Sequence, residues 1–525
     1  MAEIPVSELL KSLPGNIGDV ITPWAHHSPD HLALVEASGS WSYQQLQSVI
    51  AETQEWLRSV GVRPGDRVML VCENCRAFIA IFLALAGMDA WPVLANARLS
   101  AREIDDIRDH SGARRVIYMT SVSPHATQHA KRHGATIGDV ARLGSIGVGA
   151  LNEQVEPEPI DKDRTQRVAA LIYTSGTTGL PKGVVLTHRN LLFIAAVSAQ
   201  IRSLMPDDRL YGILPMSHAV GLSVVLLGTL LSGASLYLSP RFDPVAALTA
   251  LERDKLTIVL GVPAMFALLV DYTKSKGLKG PLKFPALRII SSSGAPLQLA
   301  VKLAVEELFG MTLHNGYGVT ECSPTIAQAR VDEPRTDLSV GRILPGVEIK
   351  IVGADGNPVG DGEVGELSVR GPNIAKGYYR APEETAAAIN SEGWFNTRDL
   401  ARLDGGHLFI VGRTKELIVR FGMNVYPAEV EAVLNTHPAV VRSAVIGQNV
   451  QGAEGGEEVI AFIQLVPGSP LTVTELADHA ARNLAPYKRP SRIVLIPEMP
   501  LTPTGKARKD ELAKMVTASA TAPQK

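Results

Sequence analysis

A chain of 525 residues with 46% apolar and 20% charged side chains has an ordinary globular balance, and it exceeds the size at which one hydrophobic core keeps growing, which excludes a single compact domain. Its 51 basic and 53 acidic residues leave a formal charge of −2, with no strongly positive segment, which argues against a polyanionic partner such as nucleic acid. In chain order, "MAEIPVSELLKSLPG" carries Glu3 and Glu8 where a secretory signal would be basic, so a cytoplasmic protein is expected. Strand-like runs at 67–71, 115–119, 257–262 and 287–294 alternate with amphipathic stretches such as "AFIAIFLALAGM", the pattern of α/β architecture with largely parallel sheets. The polar, Pro-bearing segment 151–166 reads as a surface connection. Leu210 to Pro240 has no charged residue and is long enough to span a bilayer, yet Pro215, His218 and several Ser and Gly residues interrupt it. A buried helix followed by a buried strand is predicted there, and no transmembrane segment.

From about 340 to 412 the texture changes to short strands with turn signals, predicting a β-rich subdomain. The remainder is large enough for a small domain of its own, with a helix starting near Pro427 and a small, polar, frayed tail "TASATAPQK". Cys72, Cys75 and Cys322 are too few for a disulfide framework and fit a reducing compartment. Cys72-Glu-Asn-Cys75 lacks the two further ligands nearby that structural zinc requires, so these thiols read as buried or incidental.

The most informative stretch is "YTSGTTGLPKG", residues 173–183, between the apolar runs "VAALI" and "VVLTH". It departs from the P-loop pattern, because Pro181 precedes Lys182 and Gly183 follows it. Glycines and small hydroxyl residues still expose backbone N–H groups that can cradle an anion, and Lys182 adds a point charge. Further motifs follow in order: "SSSGAPL", "GYGVTE", "NTRDL", "GRTKELIV" and "PLTPTGKARK".

This series resembles the adenylate-forming superfamily of acyl-CoA synthetases, peptide-synthetase adenylation domains and firefly luciferases, over nearly the whole chain. The resemblance implies an α/β fold: a large N-terminal AMP-binding domain (1–412) of two α/β subdomains and a distorted β-barrel, and a small mobile α+β C-terminal domain (413–525). It implies ATP, Mg²⁺ and coenzyme A as cofactors. Thr174, Ser175, Gly176, Thr177, Thr178 and Lys182 would grip the β- and γ-phosphates. Glu321 would hold Mg²⁺. Tyr317 would stack on adenine, with Ala295, Asn315 and Gly316 lining the base site and Thr320 at the α-phosphate, while Gly318 permits close backbone approach. Asp399 would bind the ribose, with Arg398 pointing outward where many relatives have glycine, and Arg413 would add a nucleotide contact. Lys506 would be the catalytic lysine and Lys415 the hinge between half-reactions. Gly422 would line the pantetheine tunnel, and Arg241 would lie near coenzyme A. His218, in Pro-x-x-His-x-x-Gly, would gate the acyl pocket beside Gly294.

The implied activity joins a carboxylic acid to a thiol through an acyl-adenylate. The pocket walls the resemblance implies, around Met216–Leu222, Ser293-Gly294 and Cys322–Ile326, are small or apolar and carry no Asp for an α-amino group, so a fatty or aromatic acid is expected rather than an amino acid; a medium- or long-chain fatty acid is the main expectation, and an aromatic acid of 4-coumarate or benzoate type, or transfer to a carrier-protein thiol, is the alternative. Val419 and Asn424 stand where plant-type coumarate ligases carry Lys and Gln. A non-catalytic nucleotide-binding protein is disfavoured by the joint presence of Lys182, Glu321, Asp399 and Lys506. The oligomeric state is open between monomer and homodimer.

Overall fold

A computed structural model describes residues 5–174, 182–420, 423–449, 457–501 and 507–520. Among them, two large sheets dominate. The seven-stranded sheet runs Thr136–Val140, Gly144–Val148, Arg115–Tyr118, Arg67–Cys72, Trp91–Asn96, Val168–Thr174 and Lys182–Thr187. Its middle four strands are parallel, and each is bounded by a helix or a long connection, as parallel pairing demands. The nine-stranded sheet runs Arg342–Ile343, Thr325–Gln328, Leu313–Gly318, Ile289–Ser292, Ile258–Gly261, Arg209–Gly212, Ser235–Leu238, Leu32–Glu36 and Gly39–Ser42, again parallel through its centre.

Helices Arg76–Gly87 and His188–Ile201 belong to the main hydrophobic core, which also takes in residues of both sheets. Phe78, Ile79, Ile81, Phe82, Leu83 and Leu85 of the first helix are fully buried. At about 1.5–3 kcal/mol for each large side chain, burial rather than propensity holds this helix. Its start is fixed by Cys75, whose sulfur accepts the Phe78 N–H at 3.4 Å. One half of the Cys-x-x-C pair is thus a helix cap, and all three cysteines are free and buried.

Between those cysteines, Asn74 joins the two sheets: its amide donates to the carbonyls of Gly212 (3.0 Å) and Leu214 (2.9 Å) and accepts from Met216 N–H (2.9 Å). The segment predicted as buried helix then strand contains a π-helix, Val220–Leu227, continued by Gly228–Leu231, and the strand Ser235–Leu238. Among the described residues, no helix is long and apolar enough to cross a membrane.

The β-rich segment forms an antiparallel sheet in chain order, Glu348–Val352, Gly365–Arg370, Phe395–Asp404 and His407–Arg413. Backbone bonds between Val340 or Gly341 and Leu408 attach its last strand to the end of the nine-stranded sheet. Beyond it lie a hairpin, Ile418–Arg420 with Met423–Val425, and a three-stranded sheet of Val440–Asn449, Glu457–Leu465 and Arg492–Leu495. Helices Pro427–Leu434 and Val473–Asn483 bury Val430, Leu434, Leu476 and Ala480 in one core cluster with strand residues Val445, Val459 and Ala461. The final helix runs Lys509–Ala520, so the start of the tail read as frayed is helical; alanine favours this.

Candidate active site

Four parallel strands carry the motifs at their carboxyl ends, where ligands bind in open α/β sheets. Val168–Thr174 leads into the glycine-rich loop, Arg209–Gly212 into His218, and Ile289–Ser292 into Gly294 and Ala295. Leu313–Gly318 carries Asn315, Gly316 and Tyr317 and is followed by a single 3₁₀ turn, Thr320–Cys322. Asp399 and Arg413 come from the antiparallel sheet, where they are direct cross-strand partners.

The strands that flank the glycine-rich stretch pair antiparallel as far as Thr174–Lys182. Ser175, Gly176, Thr177 and Thr178 lie outside the described residues, as do Gly422 and Lys506. The Lys182 ammonium sits 5.2 Å from the centre of the Tyr378 ring, and the Tyr378 hydroxyl donates to Glu321 Oε1 at 2.8 Å. Burial, reinforced by the Glu321 charge, pushes the Tyr378 phenol far above its ordinary value, which keeps it a donor. No group of three or more His, Cys, Asp or Glu able to hold a metal occurs among the described residues. A lone carboxylate beside a lysine still suits Mg²⁺, which takes one or two protein carboxylates and completes its octahedron from phosphates and water. Sequence reasoning missed Tyr378; the only signal is an aromatic pair, Tyr378-Tyr379, in a glycine-led loop with no strand pattern.

On the nucleoside side, Asp399 is only 3% exposed and its two oxygens are shared out: Oδ2 accepts the Tyr317 hydroxyl at 2.5 Å and Oδ1 accepts Arg413 Nε at 3.1 Å. Burial, then the neighbouring Asp399 charge, lifts the Tyr317 phenol well above its ordinary value. The structure thus brings Tyr317, Asp399 and Arg413 together. Asn315 instead aims its amide at the carbonyls of Leu338 (3.2 Å) and Ser339 (3.4 Å), so its side chain fixes the neighbouring loop. Gly318 is required by its own chain: a Cβ there would lie 1.8 Å from the Pro324 carbonyl oxygen, which makes the close approach one of protein to protein. Gly294 has φ 83° with only Val262 nearby, so it serves the turn's left-handed conformation.

His218 is half-buried at the turn ahead of the π-helix, where its N–H donates to Pro215 and its carbonyl accepts from Leu222. A π-helix is rare and concentrates at functional sites. Arg241 makes a two-bond pair with buried Glu73 (2.9 and 3.2 Å), with Arg98 3.8 Å from the same carboxylate. Lys415 is exposed between two tethered neighbours: Thr414 donates to Glu366 of the β-rich sheet at 2.7 Å, and Glu416 pairs with Lys509 of the last helix at 2.8 Å.

Comparison with known proteins accords with this geometry. The profile of the AMP-binding enzyme family matches residues 21–379, and that of the AMP-binding enzyme C-terminal domain matches residues 429–506. Feruloyl-CoA synthase from Amycolatopsis sp is 34% identical, over 93% of this chain and 97% of its own length. A 4-coumarate–CoA ligase of Pinus taeda is 31% identical, covering 91% and 90%. Among solved structures, o-succinylbenzoate CoA synthetase (MenE) from Bacillus subtilis, in complex with ATP and magnesium ion, superposes with TM-score 0.80 at 29% identity, covering 94% of this chain and 99% of that one. Adenylate-forming CoA ligases use ATP, Mg²⁺ and coenzyme A. The chain belongs to the AMP-binding enzyme family, within the adenylate-forming superfamily.

Proposed function

We propose that this chain is an AMP-forming ligase that joins an aromatic carboxylic acid to coenzyme A. The observation that carries the ligase reading is the convergence of Lys182, Tyr378 and Glu321 on one side, and Tyr317, Asp399 and Arg413 on the other, around the strand Leu313–Gly318. The acid's carboxylate attacks the α-phosphorus of ATP, and the bond to the β-phosphate's bridging oxygen breaks to release pyrophosphate. The thiol sulfur then bonds to the acyl carbon as the acyl–oxygen bond to AMP breaks, and the thiol proton leaves to solvent. Lys182 and the hydroxyl-rich loop balance the departing charge. Asp399 fixes the ribose, and Lys506 bridges the carboxylate and the α-phosphate, two anions that otherwise repel. When bound, Mg²⁺ neutralises the triphosphate, with Glu321 as the protein's ligand. The hinge between the large domain (1–412) and the small domain (413–525) is assigned to Lys415; its exposure, between the tethers at Thr414 and Glu416, supports this.

For the acid, the aromatic alternative replaces the fatty-acid expectation. The feruloyl-CoA and 4-coumarate–CoA relatives are named for aromatic acids. Among the wall residues named from the sequence, Met216, Leu222, Cys322 and Ile326 have no accessible surface while His218, Val220, Ser293 and Gly294 keep some, so a long acyl tail passing the first four would have to displace packed core. Val419 and Asn424 face each other across the hairpin past the hinge. Their departure from plant coumarate ligases therefore belongs to the small domain and says little about the acid.

AMP release would be measured with ferulate, 4-coumarate, benzoate and a series of fatty acids, with and without coenzyme A. Aromatic acids are expected to exceed fatty acids by about tenfold or more in kcat/KM, the size of discrimination a shaped apolar pocket supplies. Preference for fatty acids overturns the substrate assignment, and acyl-AMP formation without thioester on coenzyme A overturns the acceptor. No ATP turnover with any acid overturns the ligase reading.

A further inference from the structure

Residues 372–379 have no regular strand or helix, yet they are bonded on both sides. Asn190, at the start of helix His188–Ile201, donates to the carbonyls of Pro372 (2.7 Å) and Ile374 (2.9 Å). Ser323 donates to Asn373 O at 2.8 Å, and Ala375 N–H donates to Glu321 O at 2.9 Å. The segment then runs beside the strand Lys182–Thr187: Lys376 N–H donates to Val185 O, Val185 N–H to Gly377 O, and Tyr379 N–H to Gly183 O. Gly377, at φ 128°, lies so close to Thr385 that a Cβ would stand 2.3 Å from its methyl. The Tyr378 N–H itself donates to Thr385 Oγ1 at 2.9 Å. These bonds leave Tyr378 as a fixed post between the strand bearing Lys182 and the turn bearing Glu321.

We propose that Tyr378 is the positioning residue of the phosphate site: its hydroxyl sets the rotamer of Glu321 while its ring seats the Lys182 ammonium, so that one side chain fixes the spacing of the protein's metal-binding carboxylate and its phosphate-binding cation. This rests on the ATP–Mg²⁺ reading of the site. Two flexible side chains would otherwise have to order when the metal–nucleotide binds; holding them beforehand lowers that cost. The ring–ammonium contact restrains Lys182 without an anion that would compete with phosphate.

The experiment uses the full chain and measures ATP binding by calorimetry across a Mg²⁺ titration, with and without EDTA. Tyr378→Phe keeps the ring and removes the hydroxyl. It is expected to raise the Mg²⁺ concentration for half-maximal ATP binding about tenfold or more, the loss of one hydrogen bond to a charged group, with metal-free ATP affinity changed less than about twofold. In a Glu321→Gln background the same change is expected to leave the Mg²⁺ dependence where Glu321→Gln alone sets it, because the hydroxyl acts through that carboxylate. A merely structural role gives additive effects in the double variant, and either additivity or an unshifted Mg²⁺ titration in Tyr378→Phe overturns the proposal. Wild-type protein whose ATP binding ignores Mg²⁺ overturns the reading of the site instead.

Discussion

Arg398 stands in the left-handed region at φ 57°, exposed, with its N–H donating to Asn396 Oδ1 at 2.8 Å. That conformation costs an L-residue roughly 1–2 kcal/mol and costs glycine nothing, although glycine loses more entropy on folding. Arg398→Gly is therefore expected to stabilise the protein by about 0.5–1 kcal/mol, read as a higher denaturation midpoint with unchanged slope; a lower midpoint would contradict it. The sequence shows why relatives place glycine here only once the backbone angle is known. The same holds for Arg241: the text suggests an available cation, whereas folding brings it to Glu73, 168 positions away. Contiguous motifs such as "GYGVTE" were legible because a strand and the turn after it keep sequence neighbours together. Tyr378 was not, because its partners Lys182 and Glu321 lie 196 and 57 positions away in the chain.

At the scale of elements, the last helix is anchored at its first residue. Lys509 lies between Glu416, beside the proposed hinge, at 2.8 Å and Glu431 of helix Pro427–Leu434 at 3.0 Å, and Glu431 also accepts the Val445 N–H at 2.8 Å. Lys506, three positions upstream in sequence, lies outside the described residues; the ion triad fixes the start of the helix that follows it. Burial alone would raise the Glu416 carboxyl; Lys509, with help from Arg413 and Lys415, outweighs it and holds the group below its ordinary 4.5. A carboxylate depressed in the folded state adds stability that is present above its unfolded value and lost as the pH falls through the folded one. The helix is therefore expected to loosen below about pH 4.5, seen as faster amide exchange in residues 509–516. Lys509→Met should remove most of that pH dependence and destabilise the small domain by about 1–3 kcal/mol, the cost of leaving two partly buried carboxylates unpaired. An unchanged acid profile in the variant would refute the assignment. Neither this helix nor its anchor was read from the sequence, where only a frayed tail was expected: neither glutamate differs in sequence from a solvated one.

At the scale of the molecule, the α/β alternation, the β-rich segment and the small final domain were legible because hydrophobic period and turn residues report layers directly. The joint between the two large sheets was not, for it rests on Asn74, an unremarkable polar residue between two cysteines. Four hydrogen bonds at one buried side chain oppose bending between the sheets, which is why the proposed rotation is assigned to the stretch after Arg413. There Thr414 is tied to one side and Glu416 to the other. Lys415→Pro, which fixes one backbone angle at the pivot, is expected to spare acid-dependent pyrophosphate release and to lower thioester formation by on the order of tenfold or more. Equal loss of both would count against rotation about this residue.

The three enclosed thiols turn the protein into its own reporter of breathing. Burial holds Cys72 and Cys322 well above the ordinary thiol range and Cys75 at about 12, so an alkylating reagent meets almost no thiolate until a region opens. Cys75 becomes reactive only when the helix it caps lets go, and Cys322 only when the turn beside Glu321 lifts. The labelling rate at each sulfur thus times a different event, one in the scaffold between the sheets and one at the rim where nucleotide would sit.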